Sequence, residues 1–66
     1  MNANVGDAFV KVAGRASHTW VVDKTFVHVD GIAHVVLRRA DQHSEIITVS
    51  VPALADPTLF QPASAA

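Results

Sequence analysis

The chain has 66 residues, half of them hydrophobic, with no cysteine and a formal net charge of −1. This length allows one domain with a small core, and the lack of cysteine excludes disulfides and thiolate zinc sites as its support. The hydrophobic fraction argues against disorder, and the charge disfavours a nucleic-acid partner, because nucleic-acid domains are usually basic. No apolar run approaches the roughly 20 residues that span a bilayer, and residues 1–4 do not begin a signal peptide. We therefore expect a cytoplasmic protein without a membrane partner.

The N-terminal part of the sequence predicts a short strand and then a long one. Residues 1–4 are expected to be flexible, residues 8–12 to form the first strand, and residues 13–18 to form a loop. The second strand spans residues 19–29. The dipeptide Asp23-Lys24 interrupts its apolar run, which indicates a bulge or a strong bend within one continuous strand.

The dipeptide Asp30-Gly31 predicts a tight hairpin between two runs rich in β-branched residues. A two-residue loop of type I′ needs positive φ at both central positions, and Asp-Gly is a preferred sequence for it. Paired residues share a face of the sheet, so this loop predicts that His28 and His34 lie on opposite faces. Three pairs are expected next to the turn: Val29 with Ile32, His28 with Ala33, and Val27 with His34.

The C-terminal half predicts two further strands and a short helical segment. Residues 32–39 form the third strand and residues 45–51 the fourth, which ends at a proline because proline cannot donate to a central ladder. Residues 52–55 are expected to form a turn of 3₁₀ helix. Asp56-Pro57 has the pattern of an N-cap followed by proline at the first position of a one-turn helix. Residues 61–66 are expected to be a flexible tail.

These elements predict an all-β fold, a small SH3-like barrel of four to five antiparallel strands with a 3₁₀ or one-turn helix near the C-terminus. The single domain spans residues 5–60. An antiparallel sheet folded on itself is the alternative. Both architectures place short strands at close intervals along the chain, which is typical of small β domains.

The layout of the chain resembles the plasmid-borne, trimethoprim-resistant dihydrofolate reductases. The resemblance implies an SH3-like barrel that oligomerises, since that family works as tetramers around a central pore. The family's active-site strand carries a Val-Gln-Ile-Tyr motif, and the nearest segment here, Ile47-Thr48-Val49-Ser50, lacks the glutamine and the tyrosine. No catalytic residue is therefore carried over. The resemblance covers most of the chain in layout but few residues in identity, and it rests on Val5-Gly6-Asp7-Ala8-Phe9-Val10-Lys11, on Trp20 and on Val51-Pro52-Ala53-Leu54.

The four histidines are the candidate metal ligands. A metal site needs imidazoles that converge on one point. The predicted register separates His28 from His34, and His18 and His43 lie in loops. We therefore predict no metal site within one chain, no cofactor and no catalytic residue. Copies of one histidine that meet at a symmetry axis of an oligomer are the alternative form of a metal site.

The hairpin has apolar residues on both faces, although a single small barrel buries only one face of each strand. A contiguous apolar patch in water favours association. The predicted function is a non-enzymatic protein-interaction module that binds itself, and another protein is the alternative partner. Cover of the patch by the Leu59-Phe60 turn is a further alternative. The predicted interface between copies is Val27, Val29, Ile32, His34 and Val36.

The sequence is also compatible with two other functions. The first is a nucleic-acid-binding or regulatory barrel, which needs the five cations on one surface. The second is an oligomeric enzyme with a site shared between subunits. Trp20, Arg38 and Arg39 are candidate recognition residues, and Trp20 is better explained as a core residue. The five cations are Lys11, Arg15, Lys24, Arg38 and Arg39.

Overall fold

Five antiparallel strands and one short helix make up the described part of the chain, which is residues 3–12, 14 and 17–63 of a computed structural model. In chain order the elements are β1 Ala8–Lys11, β2 Thr19–Val27, β3 Ala33–Arg39, β4 Ile46–Ser50, α1 Val51–Leu54 and β5 Phe60–Pro62. The predicted all-β class with a short helix near the C-terminus is confirmed. Among these residues no helix is long and apolar enough to cross a membrane.

The strands form one sheet in the order β4-β3-β2-β1-β5, so β4 and β5 are its edges. Every pair of neighbours is antiparallel. The helix α1 follows β4 directly and contacts β3, β4 and β5. It therefore lies between the two edge strands. β5 continues to Pro62, two residues beyond the predicted end of the domain.

The predicted interruption of the second strand is a register shift between β2 and β3. Val22 pairs with Leu37, and the next pair is Lys24 with Val36, so Asp23 is the extra residue on β2. An extra residue inverts the alternation of faces beyond it. Val22 lies in the core, whereas Lys24 points to the opposite, outer face. Without the shift the lysine side chain would follow Val22 into the core.

The turn between β2 and β3 differs from the prediction. The Gly31 N–H donates to the His28 carbonyl at 2.9 Å, and the His28 N–H donates to the Ile32 carbonyl at 3.0 Å. Gly31 has φ +81°, and no described residue other than glycine has positive φ. This is a three-residue loop, a type I turn followed by a left-handed glycine, and not the type I′ loop that needs positive φ at Asp30 as well.

The longer loop moves the register of the hairpin by one residue. Val27 pairs with Ala33 and Phe26 pairs with His34, so the predicted pairing of Val27 with His34 is wrong. Because side chains alternate with a period of two, a shift of one residue changes which residues of β2 and β3 share a face. His28 and His34 consequently lie on the same face, contrary to the prediction.

The core lies on one face of the sheet beneath α1 and the C-terminal segment. Trp20 is only 5% exposed, which confirms its prediction as a core residue. Leu54 and Phe60 are buried as predicted, and Leu59 packs partly buried against them. Each apolar side chain of this size contributes about 1.5–3 kcal/mol when it is fully buried. The buried cluster is Phe9, Trp20, Val22, Val35, Leu37, Leu54 and Phe60.

A serine begins the helix after β4. Ser50 has an extended backbone, and its Oγ accepts a hydrogen bond from the Ala53 N–H at 3.2 Å. This side-chain bond satisfies one of the N–H groups that an α-helix leaves without a backbone partner at its start. The cap places Leu54 at the end of the single turn, where it is buried in the core.

Asp56 organises the turn that follows the helix. Its Oδ1 accepts hydrogen bonds from the Thr58 N–H at 2.9 Å and from the Thr58 hydroxyl at 2.7 Å. Residues 57–59 form a turn and not the predicted one-turn helix. The reason is that Phe60 extends to pair with Lys11 of β1. Asp56 accepts a backbone hydrogen bond as a capping aspartate does, but it caps a turn and not the predicted helix.

Candidate functional site

The exposed apolar side chains of the domain concentrate at the tip of the β2–β3 hairpin, residues 26–34. Val29 is 97% exposed and Val27 is 70% exposed. Phe26 and Ile32 are also exposed, and both lie on the outer face of the sheet. Loops are normally polar at their tips, so this clustering marks the hairpin tip as a candidate interaction surface.

The predicted interface residues do not share one face. Val27 pairs with Ala33 on the side of the sheet that carries the core, whereas His34 and Val36 point to the outer face. Val29 lies in the turn between them. Val36 is buried, with 7% of its surface exposed, and it pairs with Lys24 on one side and Thr48 on the other. The tip therefore presents apolar surface on both sides and at its end.

An open groove adjoins the core side of the hairpin tip. It has a volume of about 510 Å³ and lies between the N-terminal segment, the hairpin and α1. Its walls include Ala3, Val27, Ala33 and Val51. The Asn4 N–H donates to Asp7 Oδ2 at 2.9 Å within the N-terminal segment, and the Gly6 N–H donates to the Val22 carbonyl at 2.9 Å, which joins the segment to β2. Residues 3 and 4 belong to the segment expected to be flexible.

Two histidines and a phenylalanine meet on the outer face of the hairpin. The rings of Phe26 and His34 stack with their centroids 5.5 Å apart and an angle of 19° between their planes. The His28 and His34 rings have centroids 5.4 Å apart at an angle of 49°. Sequence reasoning missed this cluster, because it depends on the one-residue shift of register. The sequence also allows a three-residue loop that ends at Gly31, and the register of that loop predicts that the two histidines share a face.

Oxygens of the turn lie next to both imidazoles, and one of them is hydrogen-bonded to His34. His34 Nδ1 lies 2.8 Å from the Ile32 carbonyl oxygen. A carbonyl only accepts hydrogen bonds, so Nδ1 carries a proton and donates, and in the neutral ring Nε2 carries the lone pair. His28 Nδ1 lies 3.6 Å from Asp30 Oδ1, and the same carboxylate oxygen accepts from the Ile32 N–H at 2.8 Å. Asp30 is thus both a turn residue and a neighbour of the histidine pair.

The other two histidines lie apart from this pair. His18 Nδ1 is 3.9 Å from Asp41 Oδ2, and the His43 carbonyl accepts a hydrogen bond from Arg38. Among residues 3–12, 14 and 17–63, no group of three or more histidines or carboxylates is arranged to hold a metal ion. The histidine pair on the hairpin has two imidazoles, with the Asp30 carboxylate beside His28.

The candidate recognition residues are largely engaged within the chain. Arg38 Nη2 lies 3.2 Å from Asp23 Oδ2, so the bulge residue is paired with the next strand. Arg39 bonds Asp41 through Nε at 2.6 Å and also bonds Glu45. Trp20 belongs to the core. These side chains close the end of the sheet opposite the hairpin tip.

Two ionisable groups in this network have displaced pKa values. The hydrogen bonds that Arg39 donates to Asp41 and then to Glu45 raise the pKa of Arg39 above its ordinary value. The hydrogen bond from Arg39 lowers the pKa of Asp41. A cation that already holds two carboxylates has little capacity left for a phosphate group. Arg15, one of the five cations that a nucleic-acid surface would need, lies outside the described residues.

The chain has no match among protein-family models, curated proteins or solved structures. The assignment of a function therefore rests on the geometry of the hairpin tip and on the chemistry of its residues.

Proposed function

We propose that this chain is a non-enzymatic interaction domain that associates with a second copy of itself through the tip of the β2–β3 hairpin. The observation that carries the proposal is the exposure of four large apolar residues within seven consecutive positions of the chain. They come from both faces and from the turn, and they are Phe26, Val27, Val29 and Ile32.

The size and charge of the domain favour a second copy as the partner. A domain of this length has a small core, and association is one of the few ways to bury more apolar surface without disulfides. A net charge of −1 offers little electrostatic repulsion between two copies. We place Val29 and Ile32 at the centre of the predicted interface, because both are exposed. Val36 is already buried within the chain and can contribute little surface to an interface.

The proposal includes the SH3-like barrel that the sequence predicts. Its support is the pairing of the first strand with the last and the position of α1 between the edge strands β4 and β5. The edge strands are short, with five residues in β4 and three in β5, and short edges limit pairing between the sheets of two copies.

Sedimentation velocity over a wide range of protein concentration tests the proposal. We expect a reversible increase in mass with concentration. Val29→Ser should weaken association about 10- to 100-fold, because a buried valine is worth about 1.5–3 kcal/mol. Val12→Ser is the matched control, since Val12 is an exposed valine next to β1 and away from the hairpin.

Two results would contradict the proposal. One is monomer mass at every concentration, which would leave another protein as the partner of the exposed tip. The other is an equal weakening by Val29→Ser and Val12→Ser, which would show that association does not use the hairpin. Because Val29 is almost fully exposed in the monomer, its replacement by serine leaves the core unchanged.

A further inference from the structure

We propose that His28 and His34 form a two-histidine site for a divalent transition metal ion on the outer face of the hairpin. Both ligands belong to one chain, so a second copy contributes no ligand, although the site lies within the hairpin tip proposed for self-association. It uses imidazole nitrogens, which suit zinc and copper ions. The two remaining positions of a tetrahedral ion are filled by water.

The distance between the rings fits one shared ion. A histidine nitrogen lies about 2.0–2.1 Å from bound zinc, so two imidazoles on a tetrahedral ion have ring centres about 5 Å apart. The observed separation is 5.4 Å. His34 lies in β3 and His28 follows the last residue of β2, and the hydrogen bonds of the loop fix the spacing of the two backbones.

The protonation of the rings also fits metal binding. Ligating histidines usually donate their second N–H to a carbonyl or a carboxylate, which fixes the tautomer and the ring orientation. His34 donates Nδ1–H to the Ile32 carbonyl, and His28 Nδ1 faces the Asp30 carboxylate. Among the described residues, His34 Nε2 and both ring nitrogens of His28 have no hydrogen-bond partner. We assign Nε2 of each ring as the ligand, because the Asp30 carboxylate lies on the Nδ1 side of His28.

The packing around the pair reduces the reorganisation that binding requires. Phe26 stacks on His34, so this ring has a neighbour on one side and a hydrogen bond at Nδ1. A ligand held in its binding orientation before the ion arrives loses less conformational entropy on binding. The negative charge of Asp30 beside His28 adds a favourable interaction with a cation.

Zinc titration followed by long-range ¹H–¹⁵N NMR of the imidazole rings tests the proposal on the unmodified chain. Before zinc is added, His34 should show the tautomer with the proton on Nδ1. With zinc we expect one ion per chain and a change in the Nε2 signals of His28 and His34. Nε2 signals that stay unchanged in either ring at saturating zinc would overturn the assignment.

Calorimetric titration of three asparagine variants provides the second measurement. His28→Asn and His34→Asn should each weaken zinc binding by at least about 10-fold, the smallest loss usual for a disturbed metal site. His43→Asn is the matched control and should bind as the unmodified chain does, because His43 lies in the turn between β3 and β4. Equal loss in the control, or no loss in either hairpin variant, would refute the site. Far-UV circular dichroism establishes that each variant is folded.

Discussion

The conformation of Asp30 decides the register of the hairpin, and Asp30→Gly tests it by the sign of a stability change. In the three-residue loop Asp30 has negative φ, and its side chain accepts a hydrogen bond from the Ile32 N–H at 2.8 Å. In a type I′ loop the same residue would have positive φ, a conformation that costs a non-glycine residue about 1–2 kcal/mol. Glycine at position 30 therefore destabilises the first loop and stabilises the second.

The expected loss follows from two contributions. The hydrogen bond to Ile32 is exposed, and bonds of this kind contribute about 0.5–1.5 kcal/mol net. Glycine adds a conformational entropy cost of about 0.5–1 kcal/mol. The sum is about 1–2 kcal/mol, a large share of the roughly 3–10 kcal/mol expected for a domain of this length.

Urea unfolding followed by tryptophan fluorescence measures the change. Trp20 is the single tryptophan and is buried, so its emission reports exposure of the core. Asp30→Asn is the control, because its side-chain oxygen can accept the same bond, and it should stay within about 0.5 kcal/mol of the unmodified chain. A higher urea midpoint for Asp30→Gly would refute the three-residue loop, and with it the shared face of His28 and His34.

The remaining predictions concern the core and the acid stability of the domain. Leu54→Ala should lower the free energy of unfolding by about 2–5 kcal/mol, measured by urea unfolding, because Leu54 is 1% exposed. A loss no larger than that of Leu59→Ala would contradict the central place of Leu54 in the core. Hydrogen bonds from Thr58 lower the folded-state pKa of Asp56 below its unfolded value, so its contribution to stability is present above about pH 4 and is lost as the pH falls through the folded pKa. The difference in stability between the unmodified chain and Asp56→Asn should therefore shrink between pH 7 and pH 2, and a constant difference would show that the Asp56 charge is not involved.

Much of the fold is predictable from local signals. The apolar runs place four strands to within two residues of their observed bounds, and the Asp23-Lys24 interruption marks the register shift of β2. β5 was not predicted. It has only three residues and contains a proline, so it carries no strand pattern of its own and forms because β1 offers it a partner.

The candidate site was predictable only in part. The sequence places an apolar hairpin around Asp30-Gly31, and its tip is the exposed apolar region of the structure. The partners of Arg39 were not predictable, because Asp41 and Glu45 reach it only when the turn after β3 folds back. The histidine pair was predicted to be separated, and the structure brings it together.

The sequence by itself determined which segments are extended, where the turn falls and that Trp20 belongs inside. Those properties follow from side-chain type and from spacing within a few residues. Only the tertiary structure decided the length of the loop and therefore the register. Asp-Gly is compatible with a two-residue and a three-residue loop, and the choice depends on which faces of β2 and β3 pack on the core together. With Val35 and Leu37 inside, His34 points outward in either register, and the three-residue loop places His28 on the same face.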